Sequence, residues 1–78
     1  VDLGRGRTSV ELANVRTIPS YDKNTVVRVS EEGERFEFDG WIDGPELRGS
    51  TRWYRILTPS GDEWIHSTLV QLDRPFRG

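Results

Sequence analysis

Glycine, proline and serine interrupt this chain at close intervals from Ala13 onward, and these breaks limit what it can fold into. No stretch of about twelve residues combines a helical apolar stripe with freedom from Gly and Pro, so a stable amphipathic helix is not expected. The segments between the breaks are rich in β-branched and aromatic residues. They cover residues 25–29, 35–42, 52–57 and 63–66. The pattern therefore predicts an all-β fold.

The chain has 78 residues, which is short for a two-sheet sandwich but sufficient for a small, strongly bent barrel of short strands. Strict alternation over 35–39 places Phe36 and Phe38 on one face and the charged residues on the other. The same parity, applied along the chain, predicts a core formed by Val15, Val27, Val29, Phe36, Phe38, Ile42, Ile56, Ile65, Val70 and Leu72.

Three segments are expected along the chain. Residues 1–12 include the Gly-Arg-Gly-Arg stretch and show no periodicity, which is typical of a linker or an N-terminal arm. Residues 13–73 form the predicted barrel, and residues 74–78 a C-terminal tail. Since the sequence contains no Met, not even at position 1, we expect a module from a longer or processed chain.

The residue inventory argues against catalysis. The absence of Cys excludes a disulfide framework, a thiolate zinc site and a cysteine nucleophile. His66 is the single histidine, and on a strand it would point away from its neighbour Ser67, so the two cannot form a nucleophile–base pair. No spacing of metal ligands is present. We therefore expect a protein that is not an enzyme and has no cofactor and no metal.

The net charge and the hydropathy of the chain argue against two classes of binding partner. The formal net charge is −2, from 11 basic and 13 acidic residues, whereas nucleic-acid binding typically requires a strongly basic face. No apolar run approaches the roughly 20 residues that span a bilayer. The sequence therefore predicts neither a nucleic-acid nor a membrane partner.

Several aromatic residues remain after the core positions are filled. Trp41 shares the parity of the charged residues of its strand, Trp53 shares that of Arg55, and Tyr21 begins a polar loop that reaches Asn24. Each of these three side chains could cover an open end of the barrel. For a fourth aromatic residue, Trp64, we favour this interpretation. Together, Tyr21, Trp41 and Trp53 could instead form a shallow groove for an extended peptide or glycan.

Four segments, in order, resemble the bacterial SH3 (SH3b) domains. Residues 13–20 (ANVRTIPS) resemble the family's opening L-N-V-R-x-G-P-S, and residues 32–38 resemble K-G-x-x-V-x-V. Residues 52–56 (RWYRI) resemble G-W-Y-K-V, and residues 61–70 (GDEWIHSTLV) resemble G-x-x-G-W-V-H-S-S-Y-L. Two departures are Ile18, where the family has Gly, and a longer segment at 39–49.

The resemblance implies an SH3-like barrel of five to six short antiparallel strands. It also implies a ligand groove lined by Trp53, with the loop from Tyr21 to Asn24 as one wall and Leu69, in the turn 67–69, closing it. With Trp41 added from the parity argument, the predicted ligand-binding residues are Tyr21, Asn24, Trp41, Trp53 and Leu69.

Members of this family mostly target cell-wall hydrolases to peptidoglycan. The resemblance therefore implies a non-catalytic, monomeric cell-wall-binding module linked to a catalytic domain, as in an endolysin. Its location would be extracellular or in the cell wall, in a bacterial or phage-encoded protein. The first alternative is a protein–protein module that docks a peptide or its own catalytic domain. A Tudor-like or nucleic-acid-binding barrel is a third interpretation, against which the net charge argues.

Overall fold

Seven antiparallel strands form one curled sheet in the residues that the computed structural model describes, 4–59 and 61–74. They are β1 (Gly4–Thr8), β2 (Leu12–Arg16), β3 (Val26–Glu31), β4 (Arg35–Leu47), β5 (Ser50–Ile56), β6 (Glu63–His66) and β7 (Val70–Arg74). Two 3-10 turns, Lys23–Thr25 and Ser67–Leu69, precede β3 and β7. The strand order is β3-β2-β6-β5-β4-β1-β7.

This architecture confirms the all-β prediction, and the sheet has seven strands, one more than the upper expected number of six. No α-helix occurs in the described ranges. The sheet curls into a half-barrel, which is consistent with the small SH3-like barrel that the sequence implies.

The core lies inside the curl of the sheet. Phe38 is central to it, with ring centroids 6.1 Å from Phe36 and 5.1 Å from Tyr54. Six predicted core residues are buried, and Leu72 packs partly buried against them. The six are Val15, Phe36, Phe38, Ile56, Ile65 and Val70.

The prediction is wrong for Val27 and Val29, which are 48 % and 50 % exposed. In β3 the alternation has the opposite phase, with Ser30 fully buried. Ser30 is accommodated because its hydroxyl lies 2.7 Å from that of Thr8, so a buried polar group has a partner. Apolar character alone therefore indicated the wrong face of this strand.

A one-residue bulge explains two further differences, at Trp41 and Ile42. The register of β4 against β5 shifts after Phe38, so that Asp39 is an extra residue. Such an insertion reverses the alternation that follows it. Trp41 therefore lies opposite Tyr54, on the face of the core, rather than on the outer face with Asp39 as predicted. Ile42 is exposed and is not a core residue.

The strand β1 differs from the expected linker or arm over 1–12. It lies between β4 and β7, with Gly4, Gly6 and Thr8 buried. Gly6 is required by close packing, because a Cβ there would lie 2.6 Å from the carbonyl oxygen of Gln71. Buried glycines add no apolar side chain to the alternation, so the pattern does not reveal this strand.

The predicted terminal segments lie mostly outside the described residues, which exclude 1–3 and 75–78. Arg74, assigned to the tail, instead ends β7, where its backbone pairs with Arg5.

Candidate binding groove

A cavity of about 250 Å³ opens on the face of the sheet opposite the core. It lies where β2, β5 and β6 meet the loop that follows β2, the tip of the β4–β5 hairpin and the turn 67–69. We call this cavity the groove. Its lining residues are Leu12, Asn14, Arg16, Tyr21, Leu47, Trp53, His66 and Leu69.

Trp53 forms the base of the groove and is only 1 % exposed. Its ring centroid lies 5.4 Å from that of Tyr21 and 4.9 Å from that of His66, which meets it edge-on. The side chain projects from the face opposite Tyr54, as the parity predicted, but the loop and the hairpin tip cover it. Trp53 therefore supports the base of the groove, and almost none of its side chain is accessible to solvent.

The carbonyl oxygen of Pro45 joins the loop to the hairpin tip. It accepts hydrogen bonds from Trp53 Nε1 at 3.0 Å and from the Tyr21 hydroxyl at 3.1 Å. Burial raises the pKa of Tyr21, outweighing the opposite effect of Arg16, so the hydroxyl stays a donor at neutral pH. The two walls of the groove are thus held together at one atom.

His66 anchors the turn that carries Leu69. Its Nε2 lies 3.0 Å from the carbonyl oxygen of Ser50, and its Nδ1 accepts from the backbone N–H of Thr68 at 3.1 Å. These partners select the neutral tautomer protonated at Nε2. Burial lowers the pKa of His66, which favours the same neutral form. The neighbouring Ser67 hydroxyl lies 2.9 Å from that of Ser50.

Arg16 fixes the loop from the other side. Its Nη1 donates to the carbonyl oxygen of Asp22 at 2.9 Å and to Thr25 Oγ1 at 3.0 Å. Its Cζ lies 5.8 Å from the centroid of the Tyr21 ring. The loop that supplies Tyr21 is therefore held to β2 by one buried and one partly buried hydrogen bond.

The rim of the groove combines aliphatic and amide groups. Leu12 is exposed, and Leu47 and Leu69 are half-buried. The exposed Asn14 side chain makes no hydrogen bond to the described part of the chain. Its amide can both donate and accept, so it is available to a polar ligand that contacts the leucines.

The structure brings together three of the five predicted site residues, Tyr21, Trp53 and Leu69. Asn24 lies exposed in the turn that precedes β3 and does not line the groove. Trp41 lies on the other face of the sheet, where the guanidinium of Arg52 covers its ring at 3.9 Å. The fold therefore separates two of the predicted residues, Asn24 and Trp41, from the groove that the other three line.

Five groove residues were not predicted: Leu12, Asn14, Arg16, Leu47 and His66. Three of them alternate along β2, with Ala13 and Val15 between them in the core. Extending the parity argument to residues 12–16 would have identified them. Leu47 carries no such signal, because the bend of the hairpin brings it to the groove.

Neither a cluster of potential metal ligands nor a membrane-spanning helix is found in the described ranges. No group of three or more His, Cys, Asp and Glu side chains there could hold a metal ion. No helix in that part of the chain is long and apolar enough to cross a membrane.

Comparison of the chain with protein-family models, with curated proteins and with solved structures gives no match. The groove and the sequence resemblance therefore carry the functional proposal.

Proposed function

We propose that this chain is a non-catalytic binding module that holds a segment of peptidoglycan in the groove. In this role it would target an attached cell-wall hydrolase, such as an endolysin, to its substrate. The observation that carries the proposal is the groove itself, where the exposed Leu12 and the half-buried Leu47 and Leu69 line the same cavity as an Asn14 amide that has no hydrogen-bond partner in the described residues.

The chemistry of the rim suits a polymer with alternating apolar and polar groups. Leu12 and Leu69 offer aliphatic contact, while the Asn14 amide can pair with a peptide group or a hydroxyl. At about 250 Å³ the groove can contain one side chain or one face of a sugar, so a single site should bind weakly. Weak binding suffices for targeting, because a linked catalytic domain benefits from the raised local concentration.

The test is sedimentation of the chain with purified sacculi, using variants paired by residue type. Leu12→Ala removes a groove leucine that is 63 % exposed, and Leu57→Ala removes one that is 46 % exposed outside the groove. Asn14→Ala and Asn24→Ala form a second pair, because both side chains are exposed and only the first lines the groove.

We expect the wild type, Leu57→Ala and Asn24→Ala to sediment, and the two groove variants to remain largely in the supernatant. Full retention of Leu12→Ala and Asn14→Ala would refute the assignment to the groove. Trp53→Ala is unsuitable for this test, since the residue is buried and its loss would damage the fold.

One observation favours the alternative, a protein-docking module. The strand β3 pairs only with β2 among the described strands and exposes Val27 and Val29. Exposed apolar edge strands are typical sites for a partner strand. If Val27→Thr/Val29→Thr loses sacculus binding and the groove variants keep it, β3 is the binding surface. If the wild-type chain does not sediment with any of the sacculi, docking to another protein is favoured.

A further inference from the structure

Arg16 is a buried cation without an ionic partner in the described part of the chain. It is 9 % exposed, and no described carboxylate lies within 4.0 Å of its guanidinium nitrogens. By contrast, Arg28 and Arg55, which are more exposed, both form ion pairs. A buried charge is normally paired, because removing it from water is costly. The position of Arg16 therefore calls for an explanation.

Its hydrogen bonds leave donors unused. Only Nη1 has protein partners, and both are neutral oxygens, those of Asp22 and Thr25. No buried side-chain nitrogen or oxygen in the described residues lacks a partner, so Nε and Nη2 must retain contact with solvent. Since Arg16 lines the groove, the groove is the open space that these donors can reach.

Arg16 is the one charged side chain among the described residues that line the groove. The Asp22 carboxylate accepts the backbone N–H of Asn24, and Glu46 is exposed at the hairpin tip. Both Arg16 and Glu46 affect the ionisation of Tyr21, and the effect of Arg16 is the larger. A ligand in the groove therefore meets the positive charge of Arg16, with no carboxylate among the described lining residues.

We infer that the groove is a carboxylate-binding site in which the free donors of Arg16 pair with a carboxylate of a peptide. Guanidinium and carboxylate are geometrically matched, and their charge-assisted hydrogen bonds are about twice as strong as neutral ones. Leu12 and Leu69 then contact the adjoining apolar side chain, and the Asn14 amide pairs with the next peptide group. This inference rests on the proposed function and specifies the peptide part of the wall, rather than a neutral glycan, as the ligand.

The decisive comparison uses two probes on the unmodified 78-residue chain. N-acetyl-D-alanyl-D-alanine is titrated as the free acid and as its C-terminal amide, with binding followed by backbone amide shifts in NMR. We expect the acid to bind at least about tenfold more tightly, and to weaken as salt is added. Equal affinities, or no shift with either probe at roughly 10 mM, would overturn the inference.

A second arm identifies the source of the carboxylate. Glucuronic acid carries the same group on a sugar, and we expect it to bind more weakly than the dipeptide acid, because it offers the leucines no aliphatic side chain. Tighter binding of glucuronic acid would overturn the assignment to a peptide.

Two variants connect the effect to one side chain. Arg16→Gln removes the charge but keeps an amide that can donate to Asp22, so it should abolish the preference for acid over amide. Arg52→Gln is the control, since Arg52 lies on the opposite face of the sheet over Trp41. An undiminished preference in a folded Arg16→Gln would refute the role of Arg16. If that variant does not fold, the two-probe comparison on the unmodified chain still decides.

Sedimentation with sacculi separates this inference from the proposed function. A chain that sediments but does not distinguish acid from amide keeps the proposed function and overturns the carboxylate site. A chain that prefers the acid but stays in the supernatant keeps the carboxylate site, and the proposed function is then wrong.

Discussion

Gly44 packs against the base of the groove and offers a sharp test of how that base is built. A Cβ at this position would lie 2.9 Å from Trp53 Cδ1, 3.1 Å from Trp53 Nε1 and 3.3 Å from Pro19 Cβ. Favourable carbon–carbon contacts begin near 3.5 Å, so Gly44→Ala requires a displacement of about 0.6 Å. Trp53 resists this movement because it is hydrogen-bonded to Pro45 and packed against His66.

The cost follows from these contacts. Overpacking of this kind destabilises a fold by about 1–3 kcal/mol, and strain on the Trp53–Pro45 hydrogen bond adds up to about 1 kcal/mol. Replacing glycine by alanine also restricts the unfolded chain, which stabilises by about 0.4–1 kcal/mol. We therefore expect Gly44→Ala to lower the free energy of unfolding by about 1–2.5 kcal/mol.

Gly40 in the same strand is the matched control. A Cβ there meets nothing within 4 Å and the residue lacks a positive φ, so Gly40→Ala should keep only the stabilising effect on the unfolded chain. Urea unfolding, followed by tryptophan fluorescence and far-UV circular dichroism, should separate the two midpoints by about 2 M, with an m-value near 1 kcal/mol/M. A midpoint for Gly44→Ala equal to or above that of Gly40→Ala would refute the packing described for Trp53.

Three further outcomes are expected. Trp53→Ala should lower the free energy of unfolding by about 3–5 kcal/mol in urea titration, because it empties a buried site, and a loss below about 1 kcal/mol would contradict that burial. Since burial lowers the pKa of His66, the unfolded chain binds a proton that the folded chain does not as pH falls below about 6.5. The free energy of unfolding should be constant above that pH and should decrease below it by at most about 1.4 kcal/mol per pH unit. His66→Gln should remove this slope; a slope that persists in the variant would show that His66 is not its cause. Thr8→Val should lower the free energy of unfolding by about 1–3 kcal/mol, because it leaves the buried Ser30 hydroxyl without its main partner. The double variant Thr8→Val/Ser30→Ala should recover part of this loss, whereas additive losses from the two substitutions would argue against that hydrogen bond.

The buried face of a strand could be predicted where apolar and polar residues alternate regularly along it. Over 35–38, Phe36 and Phe38 alternate with charged residues, and both are in the core. The alternation is informative there because a half-buried strand places successive side chains on opposite faces. It fails at β3, where Ser30 faces inward, because the hydroxyl of Thr8 makes a buried serine tolerable.

The candidate site was predictable only in part, for the same reason. Trp53, Tyr21 and Leu69 were predicted and line the groove. Trp41 was assigned to the wrong face, because nothing local in the sequence marks the bulge at Asp39. A bulge depends on how two strands align, and that alignment is set by contacts between distant residues.

The sequence by itself determined the all-β class and most of the core, because turn residues and period-two alternation are local properties that act wherever the chain is placed. It also determined the absence of thiol chemistry, since there is no cysteine. The tertiary structure decided that Gly4–Thr8 is a strand, that Trp53 lies beneath Tyr21, and that Arg16 is buried beside the groove. Each of these depends on contacts between segments far apart in the chain, and such contacts follow from the curling of the whole sheet rather than from any one strand.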